Sequence, residues 1–216
     1  AVVAVELDRR MVAILSERLA DLPNVHVVQA DILEIDPAEA VAEATGSAVE
    51  GLAFKVVANL PYYITSAALR HLLEGSRRPA LLTVMVQREV AQRIVAEPGG
   101  MSLLSLAVQV YGRPTVVARV PAGAFYPPPK VDSAVVRIDV YEEPVAPEET
   151  IARLFWVARA GFAQKRKQLA NSLSANLRLP RDVVVEALAS AGLDPSARPQ
   201  TLAVADWLRL AESLPG

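Results

Sequence analysis

Asn59-Leu60-Pro61-Tyr62 places an amide oxygen, a carbonyl flanked by proline and a flat aromatic ring within four residues. That set suits one kind of chemistry. The lone pair of an exocyclic amino nitrogen is delocalised into its ring, so the nitrogen is a poor nucleophile until acceptors hold its hydrogens. Asn59 offers its side-chain oxygen as one acceptor. Pro61 has no N–H and biases Leu60 toward an extended conformation, which presents the Leu60 carbonyl as a second. Tyr62 supplies a stacking face, worth roughly 1–3 kcal/mol per base. Such a site orients a base amino group toward a methyl donor and requires no acid, base or metal. Taken alone, the tetrad is equally well a strand followed by a proline turn.

The surrounding elements favour the chemical reading. The tetrad follows the run Phe54-Lys55-Val56-Val57-Ala58 and precedes a helix-start signal at Thr65-Ser66. In open α/β sheets, ligands bind beyond the carboxyl ends of the strands. Two carboxylates occupy comparable places. Glu6 follows the apolar run Ala1–Val5, where it can accept from two ribose hydroxyls; Asp31 follows Val25–Ala30, where it can accept from an adenine amino group. Either acid alone is more commonly a helix cap or loop residue.

The patterning predicts strands near 1–6, 25–30, 54–59 and 80–86, alternating with helices near 8–20, 37–44, 65–75 and 87–96. This alternation implies an α/β fold with a mainly parallel sheet. Beyond Pro98, Leu103–Tyr111, Thr115–Val120 and Val131–Tyr141 read as strands, giving the parallel sheet an antiparallel edge. Three consecutive prolines stiffen the loop from Phe125 to Lys130 and can hold Phe125 over a base pocket. Residues 142–149 read as a linker. Helical patterns near 148–162, 165–177, 181–191 and 203–213 then form a small all-α domain, with Gly192 and Pro195 ending its third helix. The expected domains are therefore 1–143 and 144–216.

Composition narrows the classes. With 52% hydrophobic residues in 216, the chain can bury a substantial core. No apolar run approaches the roughly 20 residues of a membrane span, the start lacks a signal peptide's basic flank, and a cytoplasmic protein is expected. The absence of cysteine excludes disulfides and thiolate metal sites. His26 and His71 stand far apart in the sequence, so no metal is expected. The net charge of −2 conceals an asymmetry: residues 1–60 carry ten acids and four bases, whereas 151–181 carry seven bases and no acid. A nucleic-acid-facing lobe has that footprint, and so does a solvated helix face.

Several segments together resemble the KsgA-type ribosomal RNA adenine dimethyltransferases. They are Val5-Glu6-Leu7-Asp8, Asp31-Ile32-Leu33, Val57–Thr65, Gln87–Ala91, Phe125–Val135 and Phe162-Ala163-Gln164-Lys165-Arg166-Lys167. The resemblance implies a Rossmann-like class I methyltransferase sheet with a helical RNA-binding domain, and S-adenosylmethionine as the methyl donor. By it, Glu6 holds the donor's ribose, Asp31 with Ile32 its adenine, and Asn59 with Leu60 and Pro61 the target amino group. Tyr62 and Phe125 sandwich the base. Lys130, Arg153, Arg159, Lys165, Arg166, Lys167 and Arg178 are the expected RNA contacts. The implied reaction is two successive methylations of each of two adjacent adenines near the 3′ end of small-subunit ribosomal RNA, with a possible part in subunit assembly.

One departure from the family pattern stands out. Members carry a first strand and a Gly-rich turn ahead of the Glu6 strand; here no glycine precedes Gly46. In the family sheet that strand lies between those ending at Glu6 and Asn59, so two edges are expected to be unpaired and to invite association of an otherwise monomeric protein. Weak or absent cofactor binding, and hence inactivity of the chain as given, is expected. The loop Pro98-Gly99-Gly100-Met101-Ser102 is also short for the family. Three other readings remain: an Erm-type enzyme acting on large-subunit RNA, a DNA or protein amide methyltransferase, and a ribosome-assembly or transcription factor with little catalysis. The basic helical lobe argues against the second and the intact tetrad against the third.

Overall fold

A computed structural model of the chain describes residues 1–75, 77–164 and 166–215, which divide into two compact units, Ala1–Val84 and Met85–Gly216. In the first unit, strands β1 (Val2–Glu6), β2 (Val25–Gln29), β3 (Lys55–Asn59) and β4 (from Leu81) alternate with helices α1 (Arg9–Arg18), α2 (Pro37–Thr45) and α3 (Thr65–Glu74). The expected α/β alternation is present throughout. Asp8 caps α1 by accepting from Arg10 N at 2.8 Å. Asp36 caps α2 by accepting from Ala38 N at 2.7 Å, with Pro37 in the first turn and Gly46 closing the helix at φ 65°. Such a left-handed closing residue favours glycine, which has no Cβ to clash.

β1 and β2 are parallel, in register from Val2↔Val25 to Glu6↔Gln29. They form a sheet of their own, and β3 belongs with β4 in another. Burial follows the same division. α3 buries Ala68, Leu69, Leu72 and Leu73 at helical spacing, but α1, β1 and β2 bury no residue fully, and Val57 on β3 is 83% exposed.

The second unit begins with the end of β4 (to Gln87) and continues through α4 (Arg88–Ile94), α5 (Leu103–Gln109), β5 (Gly112–Val120), β6 (Ser133–Val140), α6 (Glu148–Phe162), α7 (Leu169–Leu177), α8 (Arg181–Ser190) and α9 (Val204–Ser213). β5 and β6 pair antiparallel from Gly112↔Val140 to Val120↔Ser133, with a bulge between Val116 and Ala118. The antiparallel edge therefore exists. Gly112 is required there, since a Cβ would meet Asp139 O at 2.8 Å.

The sequence expectation fails at Leu103–Gln109, which is helix and not strand. Ser102 accepts from Ser105 N at 3.2 Å while Ser105 Oγ accepts from Ser102 N at 3.0 Å, a reciprocal cap that nucleates the turn. Leu106, Ala107 and Val108 are all buried, so the segment is apolar on several sides and its period gives no direction.

The stretch 142–149 is not a free tether either. Tyr141 N donates to Tyr111 O and Val145 N to Val110 O, at 2.9 and 3.1 Å. Gly99 N and Met101 N both donate to Gln200 O, at 2.7 and 3.2 Å. The two bonds to Gln200 join the helical lobe to the rest of its unit. The division into compact units falls at Val84/Met85.

Within the lobe, α6 packs on α7 and α9. Phe162 stacks on the fully buried Trp207 with ring centroids 5.4 Å apart. A Cβ on Gly161 would stand 2.6 Å from Trp207 Cη2 and 3.0 Å from Leu169 Cδ1, so this glycine sets how closely α6 approaches its neighbours. Ser172 Oγ donates to Ala160 O at 2.8 Å. Gly161→Ala gains up to about 1 kcal/mol of helix propensity but overpacks a rigid indole, which typically costs about 1–3 kcal/mol. Urea unfolding should show a lower midpoint, and an unchanged or higher midpoint would refute the tight approach.

Candidate functional site

The first unit carries the acceptors. Glu6 ends β1, half-buried, with Oε1 accepting from Asp8 N at 2.8 Å. One residue beyond the neighbouring strand, Ala30 N donates to Glu6 O at 3.1 Å, which fixes Asp31 beside this strand end. Asp31 is half-buried and accepts from Leu33 N at 2.9 Å through Oδ1, with Ile32 in the turn so formed. Both carboxylates retain a second oxygen for a ligand's donors. The pair thus sits at adjacent carboxyl ends of parallel strands, as the sequence reading requires.

Asn59 ends β3 in the same unit. Its residue is exposed, and its side-chain amide makes no hydrogen bond among the described residues. Leu60 is buried and anchors the turn. The Pro61 carbonyl accepts from Ile64 N at 3.1 Å and from Thr65 Oγ1 at 3.3 Å, tying the tetrad to the start of α3. Tyr62 is 36% exposed and Tyr63 86% exposed. His71 Nε2 lies 2.7 Å from Ile35 O, and no group of three or more metal-ligating side chains occurs among the described residues.

The second unit carries the aromatic loop and the bases. A 3-10 turn at Ala122–Ala124 leads into Phe125, which is half-buried, and the Tyr126–Pro127 peptide is cis. Asp132 clasps the loop. Its Oδ1 accepts from Ala122 N at 3.0 Å, its carbonyl accepts from Arg88 N at 2.9 Å, and its Oδ2 lies 3.7 Å from Arg88 Nη1. The sequence reading did not single out Asp132, because its partners stand ten and more residues away. Lys130 is exposed.

The seven expected RNA contacts separate into different kinds. Arg153 is the one the structure redirects. Its Nε donates to Ala211 O at 2.5 Å and its Nη2 to Leu214 O, so it satisfies carbonyls at the end of α9 instead of facing a phosphate. Arg159, Arg166, Lys167 and Arg178 are exposed, while Lys165 lies outside the described residues. Arg166 and Lys167 line a pocket of about 500 Å³ with Phe162, Ala163 and Gln164, whose Oε1 is buried without a hydrogen-bond partner among the described residues. Arg178 follows α7 in the left-handed region at φ 57°. Among carboxylates, Asp139 is held below its ordinary pKa by a hydrogen bond from Arg137, and Asp194 by the Ser196 backbone; both are remote in sequence from the acceptors.

Comparison with known proteins identifies this arrangement. The ribosomal RNA adenine dimethylase family matches residues 1–215. Ribosomal RNA small subunit methyltransferase A of Dehalococcoides mccartyi is 44% identical over 209 residues, covering 97% of this chain and 69% of that protein. The protein of the same name from Moorella thermoacetica is 43% identical over 99% of this chain and 75% of its own length. Among solved structures, the 23S rRNA methyltransferase ErmE superposes with a TM-score of 0.72 at 30% identity, over 98% of this chain and 81% of that one. A dimethyladenosine transferase from Plasmodium falciparum gives a TM-score of 0.78 at 23% identity, over 96% and 79%, and so shares the Rossmann-like α/β fold. With a family match across nearly its whole length and the strand-end acceptors in place, this chain belongs to the ribosomal RNA adenine dimethylases.

Proposed function

We propose that this protein transfers methyl groups from S-adenosylmethionine to the exocyclic amino groups of two adjacent adenines near the 3′ end of small-subunit ribosomal RNA, within the cytoplasm's assembling subunits. The observation that carries the reading is Asn59, exposed at the end of β3 with its amide unengaged and followed by Leu60-Pro61-Tyr62. Its side-chain oxygen and the Leu60 carbonyl accept from the two amino hydrogens and turn the nitrogen lone pair toward the methyl group. The donor supplies an electrophilic methyl on a sulfonium; Glu6 accepts from its ribose and Asp31 from its adenine. Tyr62 would stack on the target base. Because the amino group is unreachable inside a duplex, the base must come from an unpaired or flipped nucleotide. Catalysis is then chiefly positioning.

The exposed bases of the helical lobe, Arg159, Arg166, Lys167 and Arg178, together with Lys130, would neutralise phosphates, which positions RNA without reading sequence and makes affinity salt-dependent. Small-subunit RNA is favoured over the Erm-type alternative by the difference in identity, 44% against 30%.

Asn59→Ala should lower methyl transfer to unmethylated small subunits by about 100-fold or more, as expected for losing a positioning acceptor, with RNA affinity nearly unchanged. The assay is radiolabelled transfer at millimolar S-adenosylmethionine, with large subunits alongside. An unchanged rate would refute the role, and transfer to large subunits alone would favour the Erm-type reading.

Donor binding by the chain alone should be weak, because Glu6 and Asn59 end strands of two separate sheets and nothing in β1, β2 or α1 is fully buried. Calorimetry should find no saturable binding in the micromolar range; a micromolar Kd would overturn this.

Arg178→Gly removes left-handed strain of about 1 kcal/mol and one phosphate contact. The variant should melt no lower than its parent yet bind RNA more weakly, with a salt slope reduced by about 1. Unchanged affinity and slope would exclude Arg178 from the interface.

A further inference from the structure

Within the first unit, His71 Nε2 stands 2.7 Å from the Ile35 carbonyl, a bond from side chain to backbone between residues far apart in the sequence. A carbonyl oxygen only accepts, so the bond fixes a proton on Nε2. Both residues are half-buried, where water competes less well for the two groups. The chemistry of methyl transfer makes no use of this imidazole.

What the bond joins gives it a function. On one side, Ile35 lies in a segment closed at both ends by side chains. Asp31 Oδ1 accepts from Leu33 N at 2.9 Å and the Asp31 carbonyl from Glu34 N at 3.0 Å, while Asp36 Oδ1 accepts from Ala38 N at 2.7 Å. In a segment so short and so bonded, the place of the Ile35 carbonyl governs the place of the Asp31 carboxylate. On the other side, His71 lies within two turns of Thr65 on α3, a helix anchored by the buried Ala68, Leu69, Leu72 and Leu73. Thr65 Oγ1 and Ile64 N both donate to the Pro61 carbonyl, at 3.3 and 3.1 Å, so α3 is continuous with the turn that follows Asn59. Among the described residues β1 and β2 share no sheet with β3, so no strand ladder aligns Asp31 with Asn59. The imidazole supplies a tie that the sheets do not.

We propose that His71 is a positioning residue, which clamps the Asp31 turn to the helix that starts at the Asn59 tetrad and so keeps the methyl donor in line with the target amino group. This rests on the function proposed above, which gives Asp31 the donor's adenine and Asn59 the base to be methylated. The effect is one of alignment, in which a small displacement of either partner slows transfer without weakening either binding step.

The test compares His71→Gln, which keeps an N–H donor at similar reach, with His71→Leu, which keeps bulk and loses the donor. Radiolabelled transfer to unmethylated small subunits is followed for the full chain, with S-adenosylmethionine varied into the millimolar range and the temperature well below each protein's melting midpoint. His71→Leu should lower kcat about 10-fold while the donor's KM stays within about 2-fold, and His71→Gln should retain kcat within about 3-fold. A packing role alone would lower the melting midpoint of His71→Leu and leave the turnover of the folded protein at the parental value. Parental kcat in His71→Leu, a change confined to KM, or a loss in His71→Gln as deep as in His71→Leu would each refute the clamp and leave the function standing. No transfer by the parent would overturn the function, and the role of His71 with it.

Discussion

Parallel strand register governs everything this chain can do at its cofactor-side acceptors. In a strand, successive side chains point to opposite faces, so a slip of one residue would turn an acceptor away from its neighbours. The β1–β2 ladder runs without interruption from Val2↔Val25 to Glu6↔Gln29, and the Ala30 amide adds one further bond to the Glu6 carbonyl. That ladder puts Glu6 and Asp31 side by side although twenty-four residues separate them. The two carboxylates then need only their local turns, each accepting one backbone N–H, to set their orientation. Asn59 depends on the same logic in β3, with Leu60 buried below it and the Pro61 carbonyl tied to α3.

The helical lobe shows how a single run of positive charge can serve two purposes. Between residues 151 and 181 bases occur without a single acid, so their mutual repulsion is unrelieved within the run. Arg153 escapes it by donating to carbonyls at the end of α9, where the helix dipole is negative. Arg159, Arg166, Lys167 and Arg178 are exposed with no such partner among the described residues, which leaves them open to phosphate. Tight packing through Gly161, Phe162 and Trp207 holds the platform on which they stand.

Much of the candidate site was legible because its residues are local. Asn59 to Tyr62 are consecutive, and the acids follow short apolar runs that read as strands. Residues whose role depends on a distant partner were not legible. Asp132 reads as part of a loop until Ala122 and Arg88 are seen to bond it. Arg153 reads as one more basic residue until its guanidinium meets the carbonyls of residues 211 and 214.

Local patterning in the amino-acid sequence was enough to determine the α/β alternation, the strand-end acceptors, the antiparallel edge and the helical lobe, because period and punctuation are properties of neighbouring residues. Tertiary structure alone decided whether the apolar stretch 103–109 became strand or helix, since a segment buried on several sides carries no period to read. It also tied the stretch that reads as a linker to its neighbours, because Val145 N finds the Val110 carbonyl thirty-five residues away. Last, it decided which aromatics remain in water. Tyr62, Tyr63, Phe125 and Tyr126 are chemically alike in the sequence, and only the path of the backbone leaves Tyr63 and Tyr126 almost wholly uncovered.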